Sequence, residues 1–175
     1  GLFLIAGPDA LAQQVTVELG EEGSLTERVL QLIALITVLS LAPSIVIMTT
    51  SFVRIVVVLS LLRTAIGLQQ SPPNAVLVSL ALFLTAFIMA PTFTAAYQEG
   101  LEPLLNGEME TAEAFSATTA PVKSFMLAQT REDDLALFFD IAQVEPESPE
   151  ATPFVVVAPA FMISELRRAF TIGFL

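Results

Sequence analysis

Two uncharged apolar stretches decide the fold: residues 29–53 read VLQLIALITVLSLAPSIVIMTTSFV, and residues 76–97 read VLVSLALFLTAFIMAPTFTAAY. Each is long enough to cross the roughly 30 Å hydrocarbon core of a bilayer, which needs about 20 apolar residues. Strand patterns are almost absent from the chain. We therefore predict an all-α, membrane-associated protein built from helical hairpins.

Composition supports this placement, because 54% of the 175 residues are hydrophobic and only 14% are charged. A soluble domain carries about 25% charged residues, so a soluble fold would have too little polar surface here. The net charge of -11 is concentrated, since most of the 18 acids lie between Glu99 and Glu150 with only Lys123 and Arg131 to oppose them. These residues predict a water-facing helical insertion, residues 98–153, which we call the acidic region.

The same composition excludes several functions. Phosphates would be repelled by the acidic region, which argues against nucleic-acid binding. The chain has no cysteine or histidine, so disulfides and thiolate or imidazole metal sites are excluded. No nucleophile stands beside a base, and we expect no enzyme and no cofactor. Glu132–Asp134 offers either a cation site or a solvated acidic face, and we favour the solvated face because adjacent helical acids point in different directions.

Local signals place the first hairpin. Ser24–Glu27 matches a capping box and predicts a helix start near Leu25. Pro43 is expected to kink that helix without ending it, and Gly67 fits the position just past a helix end. From residue 25 to residue 66 one helix would be about 60 Å long, twice the bilayer thickness.

Prolines mark the remaining elements. Ser71 is predicted to cap the next helix, with Pro72 and Pro73 at its start and its end near Pro91. The acidic region should hold two or three shorter helices, one capped by Thr111. A longer helix over residues 121–142 and a final helix with Pro159 in its first turn should follow.

These signals divide the chain into five segments. Residues 1–12 read as a signal-peptide remnant with a small-x-small cleavage site at Ala10-Leu11-Ala12, the alternative being a frayed apolar terminus. A further hydrophobic segment is expected beyond Leu175. The predicted segments are the remnant 1–12, an acidic leader 13–24, a hairpin 25–97, the acidic region 98–153, and the start of a second hydrophobic hairpin 154–175.

Charged residues beside apolar ones are candidate contact sites. Arg54 and Arg63 approach the turn between the apolar stretches with no acid nearby, which predicts a cytoplasmic turn and a periplasmic acidic region. Arg54 either snorkels to headgroups or pairs with another subunit. Glu165 forms either a local pair with Arg168 or an intersubunit ion pair, which we favour.

The phenylalanines of the acidic region are ambiguous in the same way. Phe125, Phe138 and Phe139 form either a small local core or a contact with a neighbouring copy. A region of some fifty residues buries little area alone. We expect part of this apolar surface to meet another copy.

Four ordered segments resemble the FliP family of flagellar type III export-gate proteins. They are MTTSFVRIVVVLSLLR at 48–63, Pro72-Pro73-Asn74 with LALFLTAFIMAP at 80–91, FMLAQTREDDL at 125–135, and PAFMISELRRAFTIGF at 159–174.

The resemblance implies an inner-membrane, multi-pass gate subunit at the flagellar basal body. Several copies would assemble with FliQ and FliR, and with FlhA and FlhB, to pass unfolded flagellar subunits. It supports assembly roles for Arg54, Arg63, Phe125, Phe138, Glu165 and Arg168. An injectisome gate subunit and a small-solute transporter or channel are the alternatives.

Overall fold

The computed structural model describes residues 22–68, 71–145 and 147–175, and within these ranges it contains helices and no strand. The predicted signal remnant with Ala10 and Ala12 lies outside the described residues, as does most of the acidic leader. In chain order the elements are α1 (Glu22–Thr49), α2 (Phe52–Ala65), α3 (Asn74–Ala96), a π-helical turn (Tyr97–Leu101), α4 (Glu102–Leu105), α5 (Thr111–Gln129), α6 (Glu132–Ala142), a 3-10 turn (Pro149–Ala151) and α7 (Phe154–Phe174). The protein is all-α and membrane-associated.

The chain divides into two compact units, residues 1–43 and 44–175. The described part of the first unit belongs to α1, whose large apolar side chains are exposed. Helix α1 begins at Glu22, so Ser24 lies inside it and the predicted capping box is wrong. The helix passes through Pro43 and ends at Thr49.

The predicted continuous helix from residue 25 to residue 66 is interrupted at Thr50 and Ser51. Both residues are buried, and the Thr50 hydroxyl accepts a hydrogen bond from the Phe52 backbone N–H at 3.4 Å. Short hydroxyl side chains compete with the helix for backbone groups, which accounts for a break at this pair.

Helix α2 ends in a Schellman motif. The Leu68 N–H donates to the Arg63 carbonyl at 3.2 Å and the Gly67 N–H donates to the Thr64 carbonyl at 3.0 Å. Gly67 has φ +80°, a conformation that glycine adopts without steric cost. The chain then turns into α3, whose N-cap is Pro73, so the predicted cap at Ser71 is wrong.

Among the described residues, two helical segments, Leu25–Thr49 and Asn74–Leu105, are long and apolar enough to cross a membrane. The second passes through Pro91, where we predicted its end. Membrane helices tolerate such a lost hydrogen bond when neighbouring groups compensate. At 1.5 Å per residue the 32 residues of this segment extend about 48 Å, well beyond the hydrocarbon core.

The second unit is organised around α7, which packs against α2, α5 and α6. Its centre is a cluster of the fully buried Met126, Val157 and Phe161. Phe125 packs on this cluster and meets Phe161 edge-on, with ring centroids 6.0 Å apart. Each fully buried apolar side chain of this size contributes about 1.5–3 kcal/mol.

Helix boundaries around this core differ from prediction. The expected helix over residues 121–142 is two helices, because α5 ends at Gln129 and α6 begins at Glu132. Helix α7 starts at Phe154, so Pro159 lies inside the helix and not in its first turn. Thr111 is the first residue of α5, and Glu110 is the N-cap.

One close approach fixes α5 against the π-helical turn that follows α3. Gly100, in this turn, faces α5 so closely that a Cβ would clash with the Thr118 Oγ1 and lie 2.8 Å from the Ala114 carbonyl oxygen. Only glycine fits this contact without displacing α5.

Candidate functional site

The candidate site is a network of polar side chains where α2, α5, α6 and α7 meet, which we call the polar network. Its side-chain members are Arg54, Gln129, Asp134, Ser164, Glu165, Arg167 and Arg168. Four of these members fall within five consecutive residues of α7. At about 100° per residue these four side chains spread over roughly half of the circumference of α7. Within little more than one turn, α7 therefore contacts all three neighbouring helices.

An ion pair between Arg54 of α2 and Glu165 of α7 is the centre of the network. The Glu165 side chain is fully buried, whereas 24% of the Arg54 side chain is exposed. Helix α7 is not one of the two candidate membrane spans. Burial raises the pKa of the Glu165 carboxyl, and the hydrogen bond from Arg54 opposes this rise. Within the described chain, Arg54 Nε and Glu165 Oε2 have no hydrogen-bond partner.

Gln129, the last residue of α5, joins two arginines. Its side-chain oxygen accepts hydrogen bonds from Arg54 Nη2 and from Arg168 Nη1, each at 3.0 Å. A neutral amide thus lies between two guanidinium groups. The end of α5 is thereby tied to both α2 and α7.

Ser164 links α7 to the break between α5 and α6. Its hydroxyl donates to Asp134 Oδ2 at 2.7 Å and accepts from the Arg131 backbone N–H at 2.9 Å. The other Asp134 oxygen accepts from Arg167 at 2.9 Å. Because the Arg131 N–H turns to Ser164, it leaves the helical pattern, which explains why α5 does not run on into α6.

Asp134 was expected on a solvated acidic face, and that expectation is wrong for this residue. Its side chain is only 2% exposed and pairs with Arg167. Glu132 and Asp133 are exposed. No group of acidic residues in the described ranges is placed to hold a metal ion.

The predicted contact residues occupy intramolecular positions. Glu165 pairs with Arg54 of the same chain and not with Arg168, and its side chain is fully buried. Arg54 likewise has its partners within the chain. Arg63 donates to the Pro72 carbonyl at 3.2 Å and to Asn74 Oδ1 at 2.6 Å, which closes the turn between α2 and α3. Phe138 is partly buried.

Sequence reasoning missed Gln129, Asp134, Ser164 and Arg167. One signal was available, since all four lie in two of the segments that carried the family resemblance. A second signal was the number of polar residues around Glu165, the single acid of α7. One ion pair with Arg168 would leave Ser164 and Arg167 without partners, which indicates that further contacts exist. The pairing between segments was not available, because Arg54 and Glu165 are 111 residues apart in sequence.

Comparisons with known proteins identify the family of this chain. The model of the FliP family matches residues 35–175, which include the whole polar network. The chain is 65% identical over 168 residues to the flagellar biosynthetic protein FliP of Caulobacter vibrioides, covering 95% of this chain and 63% of that protein.

More distant relatives match the same region. Identity is 49% over 146 residues to the flagellar biosynthetic protein FliP of Bacillus subtilis, covering 83% of this chain and 66% of that protein. It is 48% over 157 residues to that of Aquifex aeolicus, covering 88% of this chain and 65% of that protein. The chain thus spans less than two thirds of the length of each of these three relatives. It belongs to the FliP family.

Proposed function

We propose that the protein is a structural, non-catalytic subunit of the flagellar type III export gate, which passes unfolded flagellar subunits across the inner membrane. The observation that carries this proposal is the family match over residues 35–175. The relatives named above are flagellar biosynthetic proteins, which favours the flagellar gate over the injectisome gate.

The proposed gate contains several copies of this chain with FliQ and FliR, and contacts FlhA and FlhB. Apolar surface supports such an assembly, because α1 exposes its large side chains and α3 leaves Phe83 and Phe87 at least 70% exposed. Neighbouring helices would cover these faces where the chain extends beyond lipid. Uncovered apolar surface on this scale marks lipid or protein contacts.

We place the protein in the inner membrane as a multi-pass subunit, with the acidic region in the periplasm. The arginines near the α2–α3 turn support this orientation through the positive-inside rule. Of the 12 acidic residues from Glu99 to Glu150, all except the buried Asp134 are exposed, and these 11 would then face water on the opposite side.

Assembly roles remain our proposal for Arg54, Arg63, Phe125, Phe138, Glu165 and Arg168, with a change of mechanism for the polar ones. Arg54, Glu165 and Arg168 hold α2, α5 and α7 in register, and Arg63 fixes the α2–α3 turn. They would shape the surface that a neighbouring copy meets, and would not themselves supply the contact.

Native mass spectrometry tests the proposal on the full-length protein, coexpressed with FliQ and FliR and extracted in mild detergent. We expect one discrete complex with several copies of this chain. A monomer or dimer that ignores both partners would overturn the proposal and favour a small-solute transporter. Rescue of motility in a strain lacking its FliP, without rescue of injectisome secretion, distinguishes the two kinds of gate.

A further inference from the structure

A groove lies in the acidic region at the end of α6. Two adjoining cavities of about 480 Å³ and 460 Å³ share Phe139, Asp140, Val144 and Glu145. Because they share these residues, they form one continuous depression, which we call the α6 groove.

The floor of the α6 groove is apolar and its edge is acidic. Leu135, Phe139 and Val144 supply apolar surface. Asp140, Glu145 and Glu147 are exposed around it, and none of the described residues that line it is a lysine or arginine. Their charges therefore have no opposing cation in the lining.

The backbone adds to this negative character. Helix α6 ends at Ala142 beside the groove and has no basic residue in its last turn. The C-terminal end of a helix carries about half a negative elementary charge, which attracts cations. A cationic group in the groove would thus interact with three carboxylates and with the end of α6.

One local feature favours an occupant of the groove. The fully buried Thr152 lines it, and its hydroxyl has no hydrogen-bond partner in the described part of the chain. Buried polar groups without a partner are rare in folded proteins, so each requires an explanation. The left-handed Gln143, with φ 52°, has a local one: it belongs to the Schellman motif that ends α6, in which the Val144 N–H donates to the Phe139 carbonyl at 3.2 Å.

We propose that the α6 groove binds a segment of another protein that carries an apolar side chain flanked by lysine or arginine. The apolar side chain would cover Leu135, Phe139 and Val144, and the flanking cations would meet the acidic edge. Charge complementarity selects this occupant over a second acidic region of the same chain. The proposal does not depend on the export role.

The test is fluorescence anisotropy of a labelled peptide in which lysines flank a central phenylalanine and leucine. The full chain is held in non-ionic detergent, with empty micelles as the blank. The groove variant is Asp140→Asn with Glu145→Gln and Glu147→Gln. The matched variant, Glu99→Gln with Glu102→Gln and Glu108→Gln, removes the same charge from exposed positions outside the groove.

We expect the groove variant to weaken peptide binding about tenfold, through the loss of three exposed ion pairs. The matched variant should change it less than about twofold, since distant exposed charges are screened. Equal losses in both variants would reveal diffuse attraction and overturn the proposal. A control peptide with serine in place of the apolar residues should bind weakly, and equal binding of that peptide would also overturn it.

Discussion

Glu165 is fully buried and holds an arginine of another helix, whereas Phe87, on the long apolar helix α3, leaves 76% of its surface uncovered. In globular proteins charged side chains are usually exposed and large apolar side chains are usually buried. These two regions reverse that arrangement. The polar network orients α2, α5, α6 and α7 relative to one another. The apolar faces are left for lipid or for another chain.

The difference implies that stability within the chain and contact outside it depend on different residues. Removing a member of the polar network should destabilise the isolated chain. Removing an exposed apolar side chain from α3 should leave the stability of the isolated chain unchanged. The following substitutions test this division.

Glu165→Ala should have the largest effect. Removing one partner of a buried ion pair leaves an uncompensated charge, which costs about 3–5 kcal/mol. Because Arg54 keeps some exposure to solvent, we expect the lower end of that range. Denaturant unfolding of the full chain in detergent, followed by circular dichroism, measures the loss.

A double variant controls for the packing of the pair. Arg54→Met combined with Glu165→Met removes both charges and keeps much of the side-chain volume. Since replacing a buried pair by apolar residues is often neutral, the double variant should recover most of the lost stability. Losses that simply add would show that the two residues do not act as a pair.

Gly100→Ala tests whether the polar network alone positions α5, or whether the close contact at Gly100 also does so. The added Cβ would lie 2.5 Å from the Thr118 backbone nitrogen. Forcing an atom into so tight a contact costs about 2 kcal/mol. Adding Thr118→Ala should recover only part of this, because the backbone contact remains; full recovery would assign the clash to the hydroxyl alone.

Ser164→Ala should cost about 1.5 kcal/mol, since it leaves the Arg131 N–H and one Asp134 oxygen without a partner. Hydrogen exchange should rise locally at residues 130–134, where α5 gives way to α6. Ser116→Ala, at an exposed serine of α5, is the matched control and should change stability by less than about 0.5 kcal/mol. Unchanged exchange at the junction would mean that Ser164 does not hold the break.

The existence of the long helices was predictable from sequence because apolar length alone specifies them. Their ends were not, for reasons visible at particular residues. Helix α3 continues through Pro91, where the proline predicted its end. Helix α5 ends at Gln129, because the backbone N–H of the nearby Arg131 bonds to Ser164, a residue 33 positions away.

The candidate site followed the same pattern. Sequence reasoning selected Arg54, Glu165 and Arg168 because charged residues beside apolar ones require a partner. It could not identify the partners, since no local spacing relates α2 to α7. Asp134 shows most clearly what the sequence pattern could not predict. It has two acidic neighbours in sequence, which favoured a solvated face, yet it lies buried against Arg167.

Phe87→Ala should have the smallest effect on the isolated chain, less than about 0.5 kcal/mol, because the side chain is exposed. Phe161→Ala is the matched control: the same substitution at a fully buried site should cost about 3–5 kcal/mol. If the exposed face of α3 meets other subunits, Phe87→Ala should still lower the yield of the complex with FliQ and FliR. A stable chain that assembles poorly would separate contact from folding, whereas an unstable Phe87→Ala chain would show that α3 covers this face itself.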